Sequence, residues 1–394
     1  MSLAITNASL LLGRDLKYVE QGYIEIEDGK ITSTAAGSYT GSGKEMDANG
    51  FIIIPGFINA HTHIADSIGK DLAAEQRLDP RVHPVFGIKK QILQKSLPEH
   101  LKSFIRNSAV LMMKKGIVAF ADFRENETEG IKLLKDAIEG LPIKCVILGR
   151  VDYYSSPTEV AGLPPEKEKQ AIQVIKLADG LGISGANETT DAALGQYRQL
   201  AGEKLLAIHA AESKETVEFA KVHTGRSEID RIMEHLKPDF IVHMTKATED
   251  EISQVAKSGT GIVICPRANG VLGAGIPNVG HMLKQDCPIA IGTDNVMLNS
   301  PDILRELDYT WKVSRAIGEE MLRAQELLKM VTINAAEILR LNTGCIEAGR
   351  AADLIFIDRK HADLYPMHDP YAAIVHRLSQ SSISAVMIDG RFVD

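Results

Sequence analysis

Two histidines one residue apart, His61-Thr62-His63, end an apolar run that begins at Gly56. Alternate side chains of an extended chain point the same way, so both imidazoles would face one space and could share a cation. A second run, Leu206-Ala-Ile-His209-Ala-Ala-Glu212, ends in an imidazole with a carboxyl three residues on. Glu212 cannot share the strand orientation of His209, but a turn over the strand end would let it lean back. Ile241-Val242-His243 and Ile289-Ala-Ile-Gly292-Thr293-Asp294 each end in one further polar group. His61, His63, His209 and Asp294 together offer three imidazoles and a carboxylate, a donor set suited to Zn²⁺ or Fe²⁺. Such an ion lowers the pKa of bound water towards about 7, and Glu212 and His243 would be left free to act on that water.

Each group has a plainer reading. The two histidines could sit in an ordinary polar loop. Glu212 could simply favour the N-terminus of the helix that starts near Lys214. His243 could be a hydrogen-bonded core histidine, and Asp294 the cap of a turn. Four such groups in a row, each at the end of an apolar run, make the shared site the better account.

The elements that would position them alternate regularly. Apolar strand-like runs lie at Gly56–His63, Ile117–Phe123, Lys144–Val151, Gly180–Gly185, Lys204–His209, Phe240–His243, Gly261–Cys265 and Pro288–Thr293. Helical periodicity fills the gaps: Leu101, Ile105, Ala109 and Met112 share a face, as do Ile252, Val255 and Ala256. Ser96-Leu-Pro-Glu99 and Thr248-Glu-Asp-Glu251 read as capping boxes, and Ser300-Pro301 as a helix start. Eight strands, each followed by a helix, predict an α/β chain with a (β/α)8 TIM barrel, over residues 55–344. Active sites on that fold lie at the C-terminal ends of the strands, where the six polar groups fall. The two chain ends differ. Ala8–Leu12, Gly22–Glu27, Ala352–Asp358, Ser384–Ile388 and Arg391–Val393 read as short strands, with Asp389-Gly390 as a tight turn. Residues 1–54 plus 345–394 are therefore expected to form one small composite β-sandwich domain.

Composition removes other classes of function. The chain has 394 residues, 44% apolar and 24% charged, as in an average globular protein. Its 44 Lys and Arg against 52 Asp and Glu give a net charge of −8, without a dense basic block, so nucleic acid is not expected as a partner. No run reaches the roughly 18 uncharged apolar residues of a membrane span. The start carries no basic flank before an apolar run, so a cytoplasmic location is expected. Cys145, Cys265, Cys287 and Cys345 form no CxxC pair and read as reduced thiols.

The motifs in order resemble the amidohydrolase superfamily, in its cytosine-deaminase-like and chlorohydrolase-like branch. The resemblance rests on Pro55–His63, His209–Glu212, His243, Cys265-Pro-Arg-Ala-Asn269 and Gly292-Thr-Asp294. It extends through Thr332-Ile-Asn-Ala-Ala336 and Gly344–Leu354, and so covers nearly the whole chain. It implies that His61, His63, His209 and Asp294 hold one divalent ion, zinc before iron. It also implies that Glu212 is the general acid and base, that His243 orients the attacking hydroxide, and that Asp294 assists departure of the leaving group. Two-metal branches use a lysine at the end of the fourth strand; Gly180-Leu-Gly-Ile-Ser-Gly-Ala-Asn187 has none, which implies a single ion. The implied activity is hydrolytic deamination of a nitrogen heterocycle: a purine, a pyrimidine, a nucleoside or a triazine-like ring. Dechlorination or another C–N hydrolysis at the same centre is the alternative; a catalytically silent metal-binding scaffold is a third reading of a different class.

Two stretches depart from the family pattern where specificity would be set. Ile64-Ala-Asp66-Ser-Ile-Gly-Lys70-Asp71 replaces a segment that contains tryptophan in the nucleoside deaminases, and Asn295-Val-Met-Leu-Asn299-Ser300 follows Asp294. Substrate-facing candidates are Arg267, Asn269, Arg124 and Asn187, with Glu125, Asn126, Asp152, Tyr153 and Glu188 behind them. A homodimer or higher homo-oligomer is expected, with Trp311 and the stretch Ile303–Leu327 as a candidate face.

Overall fold

The structure, a computed structural model, describes residues 2–318 and 322–393. Two sheets organise it. The terminal sheet contains β1 (Leu3–Leu12), β2 (Lys17–Glu27), β3 (Lys30–Ala36), β4 (Lys44–Asp47) and β5 (Phe51–Pro55) from one chain end. From the other end come β15 (Leu354–Asp358), β16 (Ile383–Ile388) and β17 (Arg391–Phe392). Its order is β17-β16-β15-β5-β1-β2-β3, with β4 on β1. The second sheet is parallel and holds β6 (Phe57–His63), β7 (Ile117–Arg124), β8 (Lys144–Gly149), β9 (Gly180–Ile183), β10 (Leu205–Ala210), β11 (Phe240–His243), β12 (Gly261–Ile264), β13 (Ile289–Ile291) and β14 (Asp294–Asn295). All eight expected central strands are present, and helices connect them.

The parallel sheet is curled. Its two end strands, β13 and β14, are separated only by Gly292 and Thr293. The Gly292 N–H donates to the Ile264 carbonyl (2.9 Å) on one side, and the Thr293 N–H donates to the His61 carbonyl (3.0 Å) on the other. One segment therefore bonds to β12 and to β6. The approach to β6 requires glycine: a Cβ on Gly292 would lie 2.6 Å from the His61 Cβ and 2.8 Å from its nitrogen. A reciprocal pair locks the same crossing, with Asn59 Nδ2 donating to Thr293 Oγ1 (2.7 Å) and the Thr293 N–H donating to Asn59 Oδ1 (2.9 Å).

β5 and β15 form the wall between the two cores. Ile52, Ile54, Ile355 and Ile357 pack into the core of the parallel sheet, whereas Ile53, Leu354 and Phe356 pack into the core of the terminal sheet. This is the two-residue period of a strand buried on both faces. The turn that Glu27-Asp-Gly-Lys30 signals in the sequence joins β2 to β3, whereas β4 and β5 were not expected. Lys30–Ala36 is a polar strand at the sheet edge, with no apolar alternation to mark it.

Two helix starts differ from expectation. Ser96 caps nothing: its hydroxyl donates to Ile92 O (2.8 Å) at the end of helix Ile88–Lys95, and the next helix, Pro98–Lys114, begins after Leu97 with proline in its first turn. Ser300-Pro301 is also replaced, because Asp302 caps helix Ile303–Ile317 through the Arg305 N–H. The box at Thr248 and Glu251 forms as expected. The stretch 303–327 is not one helix. A second helix spans Ala324–Met330, and part of the interval between them lies outside the described residues. Trp311 packs within the chain, edge to face on His376 at 4.4 Å with Arg315 over its ring at 4.5 Å.

Candidate metal centre and active site

The C-terminal ends of the parallel strands bring the six chemistry-bearing side chains together. β6 supplies His61 and His63, β10 supplies His209, β11 ends in His243, and Asp294 opens β14. Beneath them lies Phe123, whose ring is 4.5 Å from that of His61 and 4.8 Å from that of His209. This apolar floor keeps water from the underside of the imidazoles. Three of the turns that aim the site are left-handed at non-glycine residues: Ala211 (φ +48°), His243 (φ +78°) and Asp294 (φ +60°). Such conformations are costly and persist where surrounding structure enforces them, often at functional sites.

Donor atoms converge tightly. His61 Nε2 lies 3.3 Å from His209 Nε2 and 3.4 Å from Asp294 Oδ1, and His63 Nε2 lies 3.6 Å from Asp294 Oδ1. Ligands held about 2.0–2.1 Å from a tetrahedral ion are about 3.4 Å from one another, so these atoms fit one small divalent cation. The tautomers fit as well. His209 Nδ1 donates to the carbonyls of Ser184 (2.8 Å) and Ile183 (3.1 Å), and His63 Nδ1 donates to Glu125 Oε1 (3.0 Å). Both rings are thereby left with a bare Nε2 towards the centre. Burial pushes the His63 imidazole down to about 3 and the His209 imidazole well below its ordinary value. Neutral rings are what a metal requires. Burial opposes ionisation of Asp294, yet the hydrogen bond and charge of His61, with His243 and His63 behind, hold its carboxyl below the ordinary value.

Glu212 and His243 stand beside this donor set. His243 Nε2 is 3.6 Å from Glu212 Oε1, and these two form a second close group with Asp294. Asn269 Oδ1 accepts from His243 Nδ1 (3.1 Å), and Asn269 Nδ2 is committed to Thr245 Oγ1 (2.6 Å). Asn269 thus reaches the centre through His243 and does not line the cavity. Burial pushes the Glu212 carboxyl up to about 7 against the pull of His243. A carboxyl poised near neutrality can both take and return a proton.

A cavity opens above these groups, lined by His63, His209, Glu212, His243 and Asp294 on its floor. Of the expected substrate contacts, Asn187 lines it and Arg267 and Arg124 do not. Arg267 is turned away, with its guanidinium facing Glu306 Oε1 (3.4 Å), Ser300 O (3.3 Å) and Asn299 Oδ1 (3.3 Å). Arg124 is buried between Asp122 (3.4 Å) and Glu125, to which it donates a short hydrogen bond. Both arginines face buried carboxyl groups.

Several residues beside the site were not marked by the sequence. Lys89, 6% exposed, lines the cavity and places its ammonium 2.7 Å from Glu125 Oε1 and 4.0 Å from Asp66 Oδ2. Asp66 in turn accepts from Asn295 Nδ2 (2.7 Å) and from the Met297 N–H (3.0 Å). The two departures from the family pattern thus hold each other. Glu228 also lines the cavity and accepts from the Ala211 N–H (3.0 Å). Asp122 could have been found, since it interrupts the apolar run of β7; Lys89 and Glu228 stand in no pattern that marks them.

Imidazoles and a carboxylate converging under an open cavity, with a raised carboxyl beside them, define a metal-dependent hydrolase. The amidohydrolase family model matches residues 52–393, and the chain belongs to that family. A Methanothermobacter thermautotrophicus protein provisionally named an aminohydrolase is 34% identical over 398 residues, 99% of each chain. The 5-methylthioadenosine/S-adenosylhomocysteine deaminase of Thermococcus sibiricus is 27% identical over 100% of this chain and 94% of its own. Among solved structures, a zinc-bound adenosine deaminase from Xanthomonas campestris superposes with a TM-score of 0.87 at 20% identity, over 99% of this chain and 92% of that one. Among the described residues, no helix is long and apolar enough to cross a membrane.

Proposed function

We propose that this protein is a mononuclear zinc hydrolase that deaminates an amino-substituted nitrogen heterocycle, a purine or purine nucleoside above others. The observation that carries this reading is the 3.3–3.6 Å spacing of the His61, His209, His63 and Asp294 donor atoms beside Glu212. His61, His63, His209 and Asp294 would hold the ion. When bound, it supplies an ionised water at neutral pH. Glu212 takes the proton released from water and delivers it to the ring nitrogen next to the carbon under attack. His243, fixed by Asn269, directs Nε2 at the oxygen that gains charge. Asp294 or Glu212 then takes the remaining proton of the attacking oxygen and passes it to the amine, which leaves as ammonia as the C–N bond breaks and the new C–O bond becomes a carbonyl. The relatives named for adenosine-type deamination support the choice of ring. We also infer that the curled sheet is a closed (β/α)8 barrel over residues 55–344, and that 1–54 with 345–394 make a β-sandwich domain.

The test is ammonia release by zinc-loaded protein across purines, pyrimidines, their nucleosides and triazines. Glu212→Gln should keep one zinc per chain and lose about 10²–10⁴ in turnover. Full activity in that variant would remove Glu212 from the mechanism.

A further inference from the structure

One side of the cavity carries an amide and two carboxyls, and one of their acceptor atoms has no donor to meet it. Asn187, 8% exposed, lines the cavity, and its Nδ2 donates to Thr216 O (2.9 Å). A carbonyl can only accept, so that bond fixes the amide and leaves Oδ1 as its free end. Asn187 Oδ1 is buried and has no hydrogen-bond partner among the described residues. Glu188 lies next in the chain and Glu228 stands on the same wall. The Glu188 carboxyl meets its own backbone N–H, and His83 Nε2 stands 3.9 Å off, beyond hydrogen-bond reach. Glu228 uses Oε2 for the Ala211 N–H. Arg231 behind it is spent on Asp191 Oδ1 (2.7 Å), Ala186 O (2.8 Å) and Thr189 O (2.8 Å). Burial raises Glu188 to about 7 and Glu228 to about 8, against the pull of the backbone N–H that each receives. Of the cavity's cations, Lys89 pairs with Glu125 (2.7 Å), and Arg150, near Asp152 (3.6 Å), reaches Glu188 only through its charge.

We propose that Asn187, Glu188 and Glu228 form a specificity subsite that receives a hydrogen-bond-donating edge of the substrate, either N–H groups of the ring or hydroxyls of an attached sugar. The subsite rests on the hydrolase reading above and names what that substrate must carry. Buried polar groups discriminate because an analogue lacking the donor leaves them unpaired, which is worth about 5- to 100-fold in binding.

The two sources are separated by matched pairs: 2,6-diaminopurine against adenine for the ring edge, and adenosine against 2′,3′-dideoxyadenosine for the sugar. Binding is measured by calorimetry on zinc-loaded Glu212→Gln protein, and turnover on the parent. The donor-bearing member of at least one pair should bind about 5- to 100-fold more tightly. Asn187→Leu or Glu188→Leu, added to Glu212→Gln, should erase most of that preference. Asn187→Asp keeps the acceptor while losing the bond to Thr216, so it should retain the preference. If Asn187→Leu fails to fold, Glu188→Leu carries the test. Equal binding within both pairs overturns the subsite, as does a preference that survives both Asn187→Leu and Glu188→Leu. Turnover without preference overturns the subsite alone; preference without turnover of any heterocycle overturns the catalytic reading and leaves the subsite standing. Absence of binding by all four compounds overturns both.

Discussion

Glu125 should govern metal affinity without touching the metal. Its Oε1 accepts from His63 Nδ1 at 3.0 Å and from the Lys89 ammonium at 2.7 Å, and its Oε2 accepts from Arg124. Lys89 and Arg124 hold this carboxyl well below its ordinary value against the opposing cost of burial, so it meets the imidazole as an anion. Glu125→Gln keeps the shape and removes the charge. His63 becomes a poorer donor to the ion, and partners of this kind are worth about 10- to 100-fold in metal affinity, or about 1.4–2.7 kcal/mol. A second cost falls on the fold. Lys89 is 6% exposed and keeps only Asp66, at 4.0 Å. Breaking a buried ion pair from one side costs about 3–5 kcal/mol, so the metal-free variant should unfold at markedly lower urea. The two costs are separable. Adding Lys89→Met removes the stranded cation and should restore much of the stability but little of the affinity. Zinc affinity is read by competition with a chromophoric chelator, and stability by urea titration of the metal-free protein. A zinc Kd within twofold of the parent in Glu125→Gln would refute the view that this carboxylate sets the donor strength of His63.

His209→Ala removes a donor 3.3 Å from His61 Nε2, so dialysed protein should lose its metal; one ion per chain by elemental analysis would exclude His209 as a ligand. Glu228 gives a pH signature. Burial raises its carboxyl from 4.5 to about 8, with Glu188 and Glu212 adding repulsion, so the folded protein keeps a proton that the unfolded chain gives up. That contribution is complete below pH about 4.5 and is lost as pH rises towards about 8. Glu228→Gln should therefore gain on the parent in urea midpoint between pH about 5 and about 9, and a flat difference would count against it. Arg267→Met should lower stability by about 1–3 kcal/mol, because Glu306 loses its guanidinium partner, while KM stays within about twofold. A large rise in KM at unchanged stability would return Arg267 to the substrate.

The residues that could hold a metal were legible because a polar group ending a buried apolar strand needs a reason to be there. His61 and His63 were also legible in direction, since strand alternation alone turns both rings one way. Direction failed at Glu212, His243 and Asp294, whose aim depends on left-handed backbone at Ala211, His243 and Asp294. No side chain announces such a conformation, which the surrounding packing imposes. Arg267 misled for a related reason: a guanidinium after a strand end suits a substrate, but it suits a buried Glu306 equally well, and Glu306 lies 39 residues away. The supports were hidden by distance. Asp66 and Asn295 were each recognised as departures from the family pattern, yet their meaning lies in the 2.7 Å bond between them across 229 residues. That bond, with Lys89 drawn in beside Glu125, ties the segment after His63 to the strand end that carries Asp294. The two stretches that set this chain apart are therefore one structural unit. A substitution at Asp66 should be felt at Asp294 as strongly as in its own segment.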